Sequence, residues 1–399
     1  MSESEHRGAA RSSAARARLR ALLAVTGMAA ALLLTCAAPT RGAPIGPRGL
    51  SRLFANGTIT SEVPESLFIA GPCDDASHVT WQVHYLSSHP PGGIAVYLLG
   101  GSAMRECIET PAALESAIHA RCGKRTSVHV LGSSEQGYAQ AIAMVENLPA
   151  GRAVIVVDIH HTPFAFGVQG AEAQLHGDEL LLSSRKLHDL LERRFTESFD
   201  LSLDAGIKVY LAKYRRRRGL EAFESTVPIS YNVHRYSQTM LWPYEMKVSR
   251  VALWRSGRGR PDGPFFNNFK LNAALLEEAV ALARAKGYQV LLMETPLNAA
   301  IIGDGFDVYK SRYRHLCHDL VERYGAVYVN CNKTAGLVDL DFHDLAHLVP
   351  SGRVKWTPEL ARALVPLVRR EAATAADPDA TRPTPQPSMG HGMQSTASD

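Results

Sequence analysis

From residue 94 to residue 370, short unbroken apolar runs alternate with segments whose apolar residues recur every three or four positions. Ile94-Ala95-Val96-Tyr97-Leu98-Leu99 is such a run, ended by Gly100-Gly101. A run of this length, apolar throughout and closed by turn residues, predicts a strand buried on both faces. Residues 127–131, 153–157, 289–293 and 326–329 repeat the pattern. The intervening periodicity predicts helices over 110–121, 138–147, 271–286, 309–324 and 357–370. Thr110-Pro111 marks one helix start, and Gly287 and Gly325 mark two helix stops. Strand–helix alternation with continuous apolar strands predicts an α/β fold: a parallel sheet covered on both faces, as a three-layer α/β/α sandwich.

About a hundred residues, 165–264, interrupt this alternation. Their pattern is helical over 178–196 and then irregular, with Tyr210, Tyr214, Tyr231, Tyr236, Trp242 and Tyr244. Two readings stand: an insertion over one end of the sheet that lines the substrate side, or a helical extension of the core that does not touch substrate. The ends break the pattern differently. Arg11, Arg16, Arg18 and Arg20 flank an apolar stretch over 21–38 that stops before Pro39. This is the layout of an export signal, and the stretch is also about long enough, near 20 residues, to remain as an anchor. In either case the arginine-rich side stays in the cytoplasm and the rest lies outside. Leu33-Leu34-Thr35-Cys36 is a poor lipoprotein match because Thr precedes the Cys. Residues 372–399, rich in Ala, Thr, Pro and Ser, read as a disordered tail, leaving 46–371 as the folded domain.

Composition narrows the class. A hydrophobic share of 46% and a charged share of 21% suit a globular protein rather than a disordered or multi-span one. The net charge of +4 over 399 residues implies no nucleic-acid face. Arg215-Arg216-Arg217-Arg218 reads as a solvated face, or as a contact for an anionic polymer or lipid head groups. Beyond the N-terminal segment lie Cys73, Cys107, Cys122, Cys317 and Cys331, an odd number. Cys107/Cys122 and Cys317/Cys331 are the local pairings open in an oxidising compartment.

Chemistry enters at Ser102, placed where the first strand ends behind two glycines. In parallel α/β sheets, ligands sit beyond the carboxyl ends of the strands. Near the other end of the chain runs Asp341-Phe342-His343-Asp344-Leu345-Ala346-His347. Asp344 and His347, three apart, can share one imidazole nitrogen, leaving the other to take a proton from a serine hydroxyl. The segment after Ser102 lacks the last glycine of G-x-S-x-G, since Met104 stands there, which disfavours the usual nucleophile elbow.

With Gly100-Gly101-Ser102, the strand and turn over 128–137, the strand over 154–161 and the block 344–352, the chain resembles the SGNH (GDSL-like) hydrolase superfamily. Its N-terminal segment and layout are similar to membrane-anchored extracytoplasmic members linked to cell-surface polysaccharide O-acylation. The resemblance implies a flavodoxin-like sheet, Ser102 as nucleophile, His347 as base and Asp344 as the acid that orients it. It also implies oxyanion donors from Ser102, from a turn glycine and from an asparagine after the third strand. The glycine position falls on Glu135 or Gly137, and His160 stands where the asparagine would be. The implied activity is a serine esterase or O-acyltransferase acting on an acylated small molecule or polysaccharide. It needs no metal or organic cofactor, and a multi-span membrane acyltransferase is the implied partner.

Two other readings use the same residues. Asp158, His160, His161, Asp341, His343, Asp344 and His347 could gather as ligands of a hydrolytic metal, although no H-E-x-x-H motif is present. Alternatively, the altered oxyanion positions suit a non-catalytic glycan-binding or assembly protein.

Overall fold

The computed structural model describes residues 75–176, 180, 182, 184–195 and 241–374. All of them lie within one compact unit, Pro47–Asp399. The N-terminal segment, Cys73, Tyr210, Tyr214, Arg215–Arg218, Tyr231, Tyr236 and the tail beyond 374 lie outside the described residues. Among the described residues, no helix is long and apolar enough to cross a membrane.

The order of elements is α1 (Asp75–Ser88), β1 (Ile94–Gly100), α2 (Ser102–Arg105), α3 (Pro111–Cys122), β2 (Thr126–Gly132), α4 (Tyr138–Asn147) and β3 (Ala153–Ile159). The insertion contributes α5 (Val168–His176), α6 (Arg185–Phe195) and α7 (Tyr244–Ser256). The rest is α8 (Pro264–Ala285), β4 (Gln289–Glu294), α9 (Ala299–Ile302), α10 (Asp307–Tyr324), β5 (Val327–Val329) and α11 (Pro350–Thr374). The five strands form one parallel sheet in the order β2-β1-β3-β4-β5. This is the doubly wound order in which the strand sequence reverses between β1 and β3, opening a crevice at their carboxyl ends.

Alternate strand residues serve two separate cores, as the two-residue period of a strand requires. Val96, Leu98, Val154, Val156 and Leu291 pack with Leu114 and Ile118 of α3 and with Trp356 and Leu360 of α11. Tyr97, Leu99, Ile155, Val157 and Leu292 pack with Ile142 of α4, Leu276 of α8 and Tyr313 of α10. Leu187, Leu190 and Leu191 of α6 join this second core, so that part of the insertion extends the sheet's packing. The helical reading of 178–196 is corrected here: Leu180 and Leu182 are buried but not helical. The Gln174 side chain satisfies their backbone, donating to both carbonyls at 3.2 and 3.1 Å and accepting from the Leu180 N–H at 3.0 Å.

Local chemistry explains the element ends. Thr110 caps α3 by accepting from the Ala113 N–H at 3.0 Å, and Gly123 closes it at φ +67°. Helix α11 runs further than its sequence suggests, taking in Ala372–Thr374, which had read as tail. Pro358 and Pro366 lie inside it. The carbonyls they leave unpaired belong to Val354 and Arg362, both exposed, where water can serve them.

The cysteines correct a second expectation. Cys107, Cys122, Cys317 and Cys331 are all free. Cys317 and Cys331 belong to different cores, on opposite faces of the sheet. Cys107 precedes the twelve-residue α3 and Cys122 ends it, so a helix roughly 18 Å long lies between them.

Candidate active site

Ser102 is the first residue of the short helix α2, directly beyond β1. Its neighbours fix that turn more than the two glycines' flexibility does. A side chain at Gly100 would meet the Asp158 Cβ at 2.3 Å and the Met104 Cβ at 2.9 Å, whereas Gly101 has open space around it. Gly100 is therefore required by the close approach of β3, and Met104, Arg105 and Glu106 bury themselves beneath the turn. Glu106 and Arg105 pair at 2.6 Å there.

The opposite partner comes from a loop closed on itself. Phe342 and Leu348 bridge as an antiparallel pair, and the His343 N–H donates to the His347 carbonyl at 2.8 Å. Within that ring, Asp344 Oδ1 accepts from the backbone N–H groups of Ala346 and His347, each at 2.9 Å. Asp344 Oδ2 lies 2.8 Å from His347 Nδ1, and His347 Nε2 lies 2.8 Å from Ser102 Oγ. The three side chains thus form one continuous relay. Burial alone would lower the His347 pKa, but the hydrogen bond and charge of Asp344, with help from Glu106 and against Arg105, raise it on balance. Burial would raise the Asp344 pKa, yet His347 and the two backbone donors hold it far below the usual carboxylate range.

The loop is held from three directions. The Asn298 N–H donates to the Leu345 carbonyl at 2.9 Å, and the Asn298 side chain to Asp339 Oδ1 at 2.7 Å. Lys247 of α7, 1% exposed, donates to Asp339 Oδ1 at 2.6 Å and to the Phe342 carbonyl at 3.0 Å. Asp341 is bound by Lys355 at 2.7 Å and Ser351 at 2.9 Å.

Ser102 and His347 open onto a cavity of about 490 Å³ at the β1/β3 crevice, which Glu135 and His160 also line. Glu135 has φ +54°, the only non-glycine residue with a positive φ among the described residues. It occupies the backbone conformation for which a glycine would be expected, and its N–H makes no hydrogen bond to the described residues. Gly137 is corrected as an oxyanion donor: its N–H is committed to Gln140 Oε1 at 3.0 Å, capping α4. His160 lies on the cavity wall, but its Nδ1 accepts from the Thr162 N–H at 3.3 Å and its Nε2 is turned toward Asp158 Oδ2 at 3.4 Å.

The metal constellation does not assemble. Among the described residues, no three of its members bring ligand atoms within 4.8 Å of one another. Asp341 is held by Lys355 and Ser351, and His343 packs on Trp242. His161 is enclosed by Trp254 and Phe306, and burial, with the charges of His160 and Lys310, pushes its pKa well down. The sequence reading missed Arg250, Trp254 and Arg258, which also line the cavity. Their spacing of four, two arginines around a tryptophan, is the same-face signal that would have found them.

The chain matches no protein-family model, and no curated protein matches it.

Proposed function

We propose that this chain is an extracytoplasmic serine esterase or O-acyltransferase of SGNH type, acting through an acyl-enzyme on Ser102. The observation that carries the proposal is the Ser102–His347–Asp344 relay, with both links at 2.8 Å, opening onto a cavity at the sheet's switch point. The strand order, the serine directly after β1 and the Asp-x-x-His block near the end of the chain support the superfamily reading. The basic and apolar N-terminal sequence supports the location.

In the proposed reaction His347 Nε2 takes the Ser102 proton as Oγ attacks the ester carbonyl carbon. The resulting oxyanion is held by the N–H groups of Ser102 and Glu135. The C–O bond then breaks, and the alcohol leaves with the proton that His347 carried. Water, or a sugar hydroxyl, attacks the acyl-enzyme by the same steps in reverse, releasing acid or a new ester. Asp344 keeps the Nδ1–H oriented and stabilises the imidazolium. A membrane-embedded acyl donor partner fits the transferase branch.

A fluorophosphonate probe tests the reading. Wild type should be labelled and should turn over an aryl acetate. Ser102→Ala should not be labelled and should lose at least about 10³-fold in turnover. A wild type that hydrolyses the acetate while resisting the probe would sink the serine route. The hydrogen bond of His160 Nδ1 to the Thr162 N–H, with Nε2 turned toward Asp158, favours one second reading, a glycan-binding protein with an impaired site, which would bind acylated saccharide without turnover.

A further inference from the structure

Helix α7 and the turn after it place Arg250, Trp254 and Arg258 along one side, each four residues from the next, and all three line the Ser102 cavity. Both arginines are exposed, and among the described residues neither guanidinium makes a hydrogen bond or ion pair. Arg260, two residues on, does the opposite and pairs with Asp262 at 3.1 Å. The rest of the wall mixes apolar Phe166, Leu297, Phe306 and Leu345 with polar Gln136, His160 and Thr162. Its carboxylates are Asp344, already bound to His347, and Glu135, which lies more than 4 Å from either guanidinium. Two uncommitted cations thus face the chamber that holds Ser102.

We propose that the cavity selects an acyl ester carrying an anionic group, a carboxylate or a phosphate, gripped by Arg250 and Arg258 while the ester carbonyl meets Ser102. This substrate class rests on the serine-hydrolase reading above. Guanidinium groups bind such oxyanions through paired, charge-assisted hydrogen bonds, which fix orientation as well as adding affinity. The Trp254 and Phe306 side packs the carbon framework between the two ends.

Binding can be measured without turnover by calorimetric titration of the full-length Ser102→Ala chain with three amide analogues. These are 3-acetamidobenzoate, 3-acetamidophenyl phosphate and the neutral 3-acetamidobenzamide. At low ionic strength at least one anion should bind about tenfold or more tightly than the neutral amide, and salt should erode the difference. The choice between benzoate and phosphate identifies the anion. The preference should vanish in Arg250→Gln/Arg258→Gln and persist in Arg250→Lys/Arg258→Lys, with circular dichroism melts confirming that each variant is folded. Equal affinities, no binding of any analogue, or a preference that survives the double Gln change would overturn the proposal. Fluorophosphonate labelling reads Ser102 separately: anion preference without labelling keeps the ligand class and discards the hydrolase, and labelling without anion preference does the reverse.

Discussion

His347 sits between two partners that ask opposite things of it. Asp344 raises its pKa, yet the imidazole must be neutral to accept the Ser102 proton. The rate should therefore fall as pH drops through a value above the ordinary 6.5, seen as the acid limb of kcat/KM against pH. On the proposed serine route, Asp344→Asn should move that limb to lower pH and cut kcat by about 10⁴-fold, the cost of the equivalent change in a Ser-His-Asp protease. Stability runs the other way. A histidine whose folded pKa is raised contributes fully below its unfolded pKa, and that contribution is lost as pH rises through the folded value. Asp344, depressed on folding, contributes above about pH 4 and loses its contribution as pH falls through its folded value. The pair is thus most stabilising between about pH 4 and 6.5, on the acid side of the expected activity limb, which urea melts across pH would display. Glu135 offers a simpler residue-scale test. At φ +54° a β-branched side chain is costly, so Glu135→Val should lose about 1–2 kcal/mol in urea denaturation, and Glu135→Gly clearly less.

At the scale of elements, close approach between strands constrains the turn that carries Ser102. Gly100→Ala would drive a methyl group into Asp158 and Met104, and should cost about 1–3 kcal/mol in denaturant midpoint, with turnover falling because Ser102 shifts. Helix α7 is tied to the acid–base loop through Lys247. Lys247→Met would strip a buried cation from Asp339 and the Phe342 carbonyl, at a cost on the order of 3 kcal/mol. It should also lower kcat, since the same loop carries Asp344 and His347. Such ties mark the limit of what sequence conveys. The strands were legible because burial on both faces leaves them apolar throughout, and α3 because Thr110-Pro111 and Gly123 punctuate it. The pairing of Asp344 with His347 was legible because it spans three residues. Helix α7 was not, because most of its apolar residues, Met246, Val248 and Leu253 among them, are exposed, and its two buried residues are Val251 and a lysine, Lys247. Nor was the commitment of the Gly137 N–H to Gln140 and of His160 Nδ1 to the Thr162 N–H. Spacing names the residues of a turn but not which of their hydrogen-bonding groups are already taken.

For the whole molecule, the sheet decides what the loops can do. The order β2-β1-β3-β4-β5 brings Ser102 and His160 to either side of the β1/β3 reversal, with Glu135 on the neighbouring turn after β2. It also puts Cys317 and Cys331 in the cores on opposite faces, so that local pairing cannot form in this fold. His347 itself joins two very different lengths of chain: its contact with Asp344 crosses three residues, and its contact with Ser102 crosses 245. The first is made inside a ring that closes between Phe342 and Leu348, and the second exists only while both cores hold the sheet together. Loosening the domain with mild denaturant should therefore silence the serine before it disturbs the imidazole. Fluorophosphonate labelling should decline while the low-field NMR signal of the proton shared by His347 and Asp344 is still visible. The protein would pass through a state whose acid–base pair is intact and has nothing left to activate.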